Sequence, residues 1–249
     1  MISVWGITDR GVVRKQNQDA CYYETCQEGC AFGLVCDGMG GAKAGDVASQ
    51  LAVSVFKRHL AQHDFQAESD ENLLRQIVGE ANREIYFQAE VHPEYDGMGT
   101  TLVAAVLRKD RVTVANVGDS RGYLLQNSRL RQVTQDHSLV GDLVRQGDIT
   151  PEQARRHPQK NLITRALGTN ASVKADLFTL PWEGGDVLLL CSDGLVNEVT
   201  DEEIERALAT EDSLERIGRS LLDLAIRRGA PDNVTLVLFC HESGQEEGG

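Results

Sequence analysis

The stretch GLVCDGMGG, residues 33–41, leads from a core-like apolar run through an acidic residue into four small or flexible positions. The run CAFGLVC, residues 30–36, has the length and composition of a buried strand, and Asp37 follows it directly. The glycines after Asp37 let the chain turn sharply and leave a backbone carbonyl accessible. The stretch therefore predicts a carboxylate at the rim of a core, with a carbonyl oxygen beside it as a further ligand.

Three other aspartates stand next to apolar runs in the same way. Asp119 follows RVTVANVG, Asp193 follows DVLLLCS, and Asp232 precedes VTLVLFC. Each one alone is most often a turn former or a helix cap. If the runs are neighbouring strands, the four carboxylates converge at one edge, where their mutual repulsion raises their pKa values and requires cations. Since the donors are all oxygen, without His or Cys, they favour Mg²⁺ or Mn²⁺ over zinc.

Short apolar runs and amphipathic helices alternate along the chain. The predicted strands are residues 2–8, 30–36, 101–107, 111–117, 121–126, 129–133, 186–191 and 234–240. Helical spacing of apolar residues is found in 46–62, 70–90, 201–209 and 212–228. Brief polar turns, RKD and NS, join two pairs of strands and indicate antiparallel hairpins. Together they predict two antiparallel sheets packed together and covered outside by helices, an αββα sandwich of the α+β class.

The chain shows neither an internal repeat nor an interior linker. We expect one domain over residues 1–241 and a disordered tail over 242–249, which ends in SGQEEGG. The segment LVGDLVRQGDITPEQARRHPQKN, residues 139–161, is polar, contains two prolines and has a weak helical pattern at best. We call this segment the flap and predict that it is a surface excursion.

Charge and hydropathy exclude several classes of protein. The formal net charge is −13, with 25 Lys and Arg against 38 Asp and Glu, which opposes binding to a nucleic-acid backbone. The N-terminus has no signal-peptide pattern, and no apolar run approaches the roughly 18 residues that span a bilayer. We therefore expect a soluble, cytoplasmic protein that contacts neither nucleic acid nor membrane.

Six cysteines occur without a CxxC pair or a Cys/His cluster of zinc-site form. Those within apolar runs are typical of small core residues: Cys36, Cys191 and Cys240. The remaining trio, Cys21, Cys26 and Cys30, leaves a soft-metal site open as an alternative. Reduced thiols in a reducing compartment are the simpler expectation.

A second candidate group is RKQNQD, residues 14–19. The guanidinium of Arg14 is a planar fork suited to a phosphate dianion, and Asp19 could hold a metal-bound water. An exposed turn is the plain alternative for this segment. The sequence DGMGGAKAG, by contrast, has neither the GxxxxGK[ST] form nor the GxGxxG spacing of nucleotide-binding loops.

Eight motifs in order make the chain resemble the PPM family, the metal-dependent protein serine/threonine phosphatases of the PP2C type, in their short bacterial form. The resemblance runs from about residue 4 to 241. The motifs are TDRGVVRKQNQD (8–19), CDGMGG (36–41), GTT (99–101), NVGDSRGY (116–123), QDHSLV (135–140), ITRALG (163–168), CSDGL (191–195) and PDNVT (231–235).

The resemblance implies a centre of two catalytic Mn²⁺ or Mg²⁺ ions. Asp37 would bridge them, and the Gly38 carbonyl would complete the coordination of one. Asp193 and Asp232 would bind the other ion. Asp19 would act on the centre through a water.

The resemblance also implies features around that centre. Asp119, together with Asp193, would hold a third and weaker ion, and Arg14 would grip the substrate phosphate. The flap would affect the choice of substrate. The reaction implied is hydrolysis of phosphoserine and phosphothreonine in proteins by in-line attack of a metal-activated water, without a phosphoenzyme.

One position departs from some relatives, which have a histidine, a proposed general acid, where this chain has Met39. A thioether cannot donate a proton, so the identity of the acid stays open. His137, in the QDHS motif, is favoured as a structural residue.

Two alternatives to a general phosphatase follow. The chain could be a non-catalytic phosphoprotein-binding module on the same fold, although its complete ligand set favours an enzyme. It could also be the dedicated phosphatase of a single regulatory protein. Its expected partners are phosphorylated proteins, the substrates of a serine/threonine kinase, and it is expected to be a monomer.

Overall fold

The computed structural model describes residues 1–26, 29–62 and 69–242. The strands are β1 (Ile2–Asp9), β2 (Asp19–Thr25), β3 (Ala31–Met39), β4 (Gly99–Thr100), β5 (Leu102–Leu107), β6 (Arg111–Val117), β7 (Arg121–Gln126), β8 (Arg129–Gln132), β9 (Asp176–Pro181), β10 (Val187–Cys191) and β11 (Val234–His241). The α-helices are α1 (Gly41–Gln62), α2 (Asp70–Val91), α3 (Leu139–Gln146), α4 (Pro151–Arg155), α5 (Asp193–Val196), α6 (Asp201–Leu208) and α7 (Leu214–Arg227).

The strands form two antiparallel sheets. One has the order β1-β11-β10-β7-β8, and the other has the order β2-β3-β5-β6-β9, with the short β4 paired to β3. Strands β5 and β6 pair, as do β7 and β8, so the two predicted hairpins are confirmed. Helices α1 and α2 cover the second sheet, and α6 and α7 cover the first. The predicted αββα sandwich is therefore confirmed.

Strand β3 shows why its sequence is apolar without interruption. Its alternate residues Phe32 and Leu34 belong to the cluster beneath α1 and α2, whereas Ala31 and Val35 belong to the cluster between the sheets. Because both faces of the strand are buried, the polar-apolar alternation of a half-exposed strand is absent. Asp37 is where the strand leaves this double cover and reaches the sandwich edge.

Besides the short β4, the sequence pattern did not predict β2 and β9, which lie at opposite edges of the second sheet. Their sequences, DACYYET and DLFTLP, mix polar and apolar residues. An edge strand pairs on one side only and tolerates polar side chains, so its periodicity is weak. These two segments form strands because they pair with β3 and β6 in the folded protein.

The flap contains two short helices, more helix than its sequence predicts. Ser138 caps α3, which ends at Gly147 in the left-handed conformation with φ of 81°. Helix α4 begins with a capping box between Thr150 and Gln153 and has Pro151 in its first turn. These local capping groups mark where both helices begin and where α3 ends.

The disulfide between Cys26 and Cys30 contradicts the expectation that all thiols are reduced. The β2–β3 register pairs Thr25 with Ala31, which brings the two cysteines to a Cα–Cα distance of 5.2 Å. The same bond shows that a soft-metal site formed by the trio was the wrong alternative. Cys21, like the cysteines predicted in the core, is free.

Helix α2 begins at a buried ion pair far from the Asp37 edge. Arg108, at the end of the β5 side of the hairpin, donates to Asp70 through Nε at 2.9 Å. Ser69 caps the same helix end. Removing one partner of such a buried pair typically costs about 3 kcal/mol of folding free energy.

The predicted tail, 242–249, lies outside the described residues except for Glu242. Over the ranges that are described, none of the helices combines the length and apolar character needed to cross a membrane.

Candidate active site

Four aspartates meet in a cleft at one edge of the sandwich, with a volume of about 460 Å³. Antiparallel pairing places the end of β10 beside the start of β11, so Asp193 and Asp232 reach the same edge from opposite chain directions. The predicted site residues that line the cleft are Arg14, Asp37, Gly38, Asp119, Asp193 and Asp232. The structure thus brings together residues that are up to 218 positions apart in the chain.

Asp19 is buried directly beside Asp37, because the first residue of β2 pairs with Asp37 of β3. Its Oδ2 accepts hydrogen bonds from the hydroxyls of Ser192, at 2.8 Å, and Thr235, at 2.6 Å. Sequence reasoning missed both hydroxyl residues, although they lie in the CSDGL and PDNVT motifs. They fix the Asp19 carboxyl beside the cleft and leave its Oδ1 without a partner.

Burial and mutual repulsion dominate the electrostatics of this cleft. Burial raises the pKa of Asp37 well above its usual range, and Asp19, Asp193, Asp119 and Asp232 raise it further. For Asp119 and Asp193, burial is again the largest cause of a raised pKa, followed by a neighbouring carboxylate. Such a group of carboxylates is costly unless protons or cations neutralise it.

Unpartnered oxygens identify where a cation would be accepted. Asp19, Asp119 and Asp193 each have a buried Oδ1 that makes no hydrogen bond. The other oxygen of Asp193 accepts from Asn197 at 3.0 Å. These hard oxygen donors fit Mg²⁺ or Mn²⁺.

The carboxylates alone do not form a complete coordination shell. Within the ranges 1–26, 29–62 and 69–242, no three His, Cys, Asp or Glu side chains are grouped so as to hold one metal ion. Asp232 Oδ2 instead accepts from Arg14 at 2.7 Å. Mg²⁺ uses one or two carboxylates and takes its remaining ligands from other oxygens, including water, so this donor set fits such an ion.

The Gly38 backbone lies in a space that only glycine fits. A Cβ atom there would stand 2.0 Å from the Gly45 carbonyl oxygen and 2.6 Å from that of Gln18. The Gly38 N–H donates to the same Gln18 oxygen at 3.1 Å. The chain therefore turns from β3 into α1 with its backbone packed against backbone.

A buried pair of hydroxyls links Asp37 to the loop that carries Asp119. Thr101 Oγ1 accepts from the Asp37 N–H at 2.9 Å, and the Thr101 N–H donates to the Asp37 carbonyl at 2.9 Å. The same Thr101 hydroxyl lies 2.7 Å from that of Ser120. Sequence reasoning missed this link, for which the GTT and GDS motifs were the available signal.

Arg14 lies on a loop that Asn233 holds in place. The Asn233 side chain accepts from the Gln18 N–H at 2.8 Å and donates to the carbonyls of Arg10, at 2.8 Å, and Gln16, at 3.0 Å. The Arg14 side chain is 51% exposed. Its hydrogen bond to Asp232 is the main cause of the raised pKa of its guanidinium.

No histidine lines this cleft among the described residues, and Met39 forms part of its wall. His137 is buried, and both of its ring nitrogens have partners outside the cleft: Nδ1 accepts from the Gly118 N–H, and Nε2 lies 3.0 Å from Asp176. These contacts agree with the structural role favoured from the sequence.

The raised pKa values predict an unusual dependence of stability on pH in the presence of a chelator. Burial raises the pKa of Asp19 from 3.8 to about 7, so the unfolded chain loses this proton first as pH rises. The free energy of unfolding should then fall between about pH 5 and 7. His137, whose pKa is lowered by burial, opposes this slope as a single group, whereas four carboxyls with raised pKa values contribute to it: Asp19, Asp37, Asp119 and Asp193.

Urea denaturation at pH 5, 6 and 7 in EDTA measures this slope. An Asp19→Asn variant should show a shallower slope, because its amide does not titrate. Glu203, whose pKa is lowered from 4.5 to about 2 by its hydrogen bond with Arg228, opposes this slope only slightly and only near pH 5. Stability that rises steadily with pH in EDTA would contradict the prediction.

Comparison with known proteins relates this geometry to a family. Residues 12–228 match the family model described as protein phosphatase 2C. The serine/threonine phosphatase stp of Listeria welshimeri is 45% identical over 233 residues, which cover 93% of this chain and 92% of the relative.

Solved structures of bacterial phosphatases superpose closely on this chain. Serine/threonine phosphatase Stp1 from Staphylococcus aureus superposes with a TM-score of 0.89 at 41% identity, covering 98% of this chain and 96% of that one. The catalytic domain of the phosphatase PstP in complex with two manganese ions superposes with a TM-score of 0.86 at 38% identity, covering 96% and 97%. These matches favour an enzyme over a non-catalytic binding module.

Proposed function

Because this chain belongs to the protein phosphatase 2C family, and is a bacterial metal-dependent protein serine/threonine phosphatase, we propose that the cleft at the Asp37 edge is its active site. The observation that carries this proposal is the set of buried, unpartnered carboxylate oxygens at that edge. Carboxylates with raised pKa values and open lone pairs are what a cluster of hard cations would neutralise.

We assign a role to each residue. Asp37 would bridge two divalent ions, with the Gly38 carbonyl on one, and Asp193 and Asp232 on the other. Asp19 would orient a water with its free Oδ1. When bound, the ions supply a water-derived nucleophile at neutral pH and neutralise charge on the phosphoryl group.

Arg14 is the proposed phosphate-binding residue. Its guanidinium is half-exposed above the cleft and already pairs with an anionic oxygen, that of Asp232, at 2.7 Å. A phosphate dianion would offer the same fork two oxygens in one plane. We infer that Arg14 exchanges Asp232 for substrate phosphate while metal ions take over the Asp232 charge.

The test is release of phosphate from a phosphothreonine peptide. We expect turnover in Mn²⁺, none in EDTA, and recovery when Mn²⁺ is restored to excess. Equal rates with and without chelator would remove the proposal. Parallel assays with a phosphotyrosine peptide and with a panel of phosphoproteins separate general from dedicated action.

Asp119→Ala is expected to lower activity at limiting Mn²⁺ by about tenfold and much less at saturation. The reason is that Asp119, with Asp193, would hold a third and weaker ion, whereas the other two ions keep their ligands. Phosphate release measured across Mn²⁺ concentrations tests this. An Mn²⁺ dependence identical to wild type would argue against a functional third site.

Phosphorylated proteins are the substrates of this family of enzymes. We further propose that a serine/threonine kinase supplies them, and that the chain acts as a monomer in the cytoplasm. We also propose that the flap influences the choice of substrate. The support is a second cavity, of about 410 Å³, which flap residues line together with Asp119 and Asp193. Sedimentation analysis at assay concentration tests the monomer, since a stable dimer would contradict it.

A further inference from the structure

A buried histidine clamps the backbone of the loop that carries Asp119. His137 is 4% exposed. The ring Nδ1 of His137 accepts from the Gly118 N–H at 3.0 Å. The backbone N–H of His137 donates to the Gly118 carbonyl at 2.9 Å. One residue therefore satisfies both backbone polar groups of the residue that precedes Asp119.

The backbone conformation and the close surroundings of Gly118 restrict the loop that carries Asp119. Gly118 has φ of 108°, in the region that favours glycine, and a Cβ there would stand 2.6 Å from Thr101 Cγ2. Asn116 also donates to the Gly118 carbonyl, at 3.2 Å. The conformation that presents Asp119 to the cleft thus depends on contacts from its surroundings.

The ring of His137 is held in one orientation. Because Nδ1 accepts a hydrogen bond, Nε2 carries the proton and donates to Asp176 Oδ2 at 3.0 Å. Asp176 in turn accepts from Arg165 at 3.0 Å through its other oxygen. The hydrogen bond to the Asp176 carboxylate therefore fixes both the tautomer and the orientation of the ring.

The same residue is joined to the base of the flap. The His137 carbonyl accepts from the Thr164 N–H at 2.8 Å, on the far side of the flap. Two residues further on, the Leu139 N–H donates to the Leu162 carbonyl at 2.9 Å. Side chain and backbone of His137 therefore connect the Asp119 loop to both ends of the flap.

We propose that His137 is a positioning residue that, through Gly118, holds the unpartnered Asp119 Oδ1 toward the cleft and so sets the affinity of the ion bound there. This inference rests on the proposed role of Asp119. A histidine that only filled the core would leave ion affinity unchanged when it is replaced by a residue that keeps the fold.

The experiment compares two polar substitutions at this position. In His137→Asn, the amide oxygen can stand near the Nδ1 position and accept from Gly118. In His137→Gln, the longer side chain can still reach Asp176 but loses the acceptor at that point. Both retain a polar side chain, which limits the loss of stability that an alanine would cause.

Binding of Mn²⁺ is measured directly by the electron paramagnetic resonance signal of the free ion. We expect His137→Gln to weaken the weakest Mn²⁺ by about tenfold or more, and His137→Asn to restore it to within about threefold. The two tighter ions, and phosphate release at saturating Mn²⁺, should change by less than about twofold. An ion-binding curve of His137→Gln equal to wild type would overturn the inference.

Two further variants separate the possible failures. Asp70→Asn weakens the buried ion pair at the start of α2 and serves as a control for lost stability alone, so its Mn²⁺ binding should match wild type. Loss of binding in that control would mean that destabilisation explains the effect. If Asp119→Ala binds Mn²⁺ as wild type does, the third site itself is wrong, whereas if only His137→Gln is unchanged, the positioning role is wrong.

Discussion

Asp37→Asn is expected to lower phosphate release about 10³-fold while the protein stays folded. The variant keeps the size of the side chain and the two backbone hydrogen bonds with Thr101. It removes the charge that would bridge the two ions, and several kcal/mol of transition-state stabilisation correspond to a loss of this order. Turnover of an aryl phosphate in Mn²⁺ measures it, and a wild-type rate would show that the assignment of Asp37 is wrong.

Thermal unfolding of the same variant gives an independent readout. In EDTA, Asp37→Asn should melt at the wild-type temperature or above it, because burial and neighbouring carboxylates disfavour the native charge. Mn²⁺ should raise the melting temperature of wild type, since ligand binding to the native state adds about 2.7 kcal/mol at 100 times Kd. The rise should be smaller for the variant.

A buried aspartate on the opposite edge provides the matched control. Asp186 is 5% exposed and accepts hydrogen bonds from Gln126 and from the Glu183 N–H. It stands just before β10, whereas Asp193 follows that strand. Asp186→Asn should therefore lower stability and leave phosphate release within about twofold of wild type.

Gly38→Ala is expected to lower both stability and activity, the latter about 10²-fold. A methyl group there cannot avoid the Gly45 carbonyl oxygen, 2.0 Å away, so β3 and the start of α1 must separate. A displacement of about 1 Å at a reacting centre can cost about 10²-fold in rate. Urea denaturation and phosphate release at saturating Mn²⁺ measure the two effects.

A second glycine shows whether the effect belongs to the site. Gly79 lies on α2, and a Cβ there would meet nothing within 4 Å. Gly79→Ala should stabilise the protein by about 0.5–1 kcal/mol, because alanine is the better helix former, with activity unchanged. Wild-type stability and turnover in Gly38→Ala would show that the close backbone packing is not required.

The architecture follows largely from local sequence patterns. Strand β3 and helix α2 were predicted because long apolar runs and helical periodicity report burial directly. Strands β2 and β9 were not predicted, because an edge strand tolerates polar side chains and its apolar periodicity is weak. In the flap, the capping groups at Ser138 and Thr150 are short polar signals that mark the starts of two brief helices.

The candidate site divides in the same way. Asp37 and Asp193 stand out in the sequence because a charge beside a core strand is costly without a reason. Ser192, Thr235 and Thr101 do not, because small hydroxyl residues are common in any loop. Their roles depend on which side chains face them across the sandwich.

The sequence by itself determined that core strands end in carboxylates and that helices with one apolar face cover them, since burial leaves a pattern in neighbouring residues. Only the tertiary structure decided which oxygens remain without partners, that Cys26 bonds to Cys30, and that His137 holds the Asp119 loop. These features depend on strand order and register, which bring together residues far apart in the chain or across a hairpin. A local pattern of side chains does not specify such contacts.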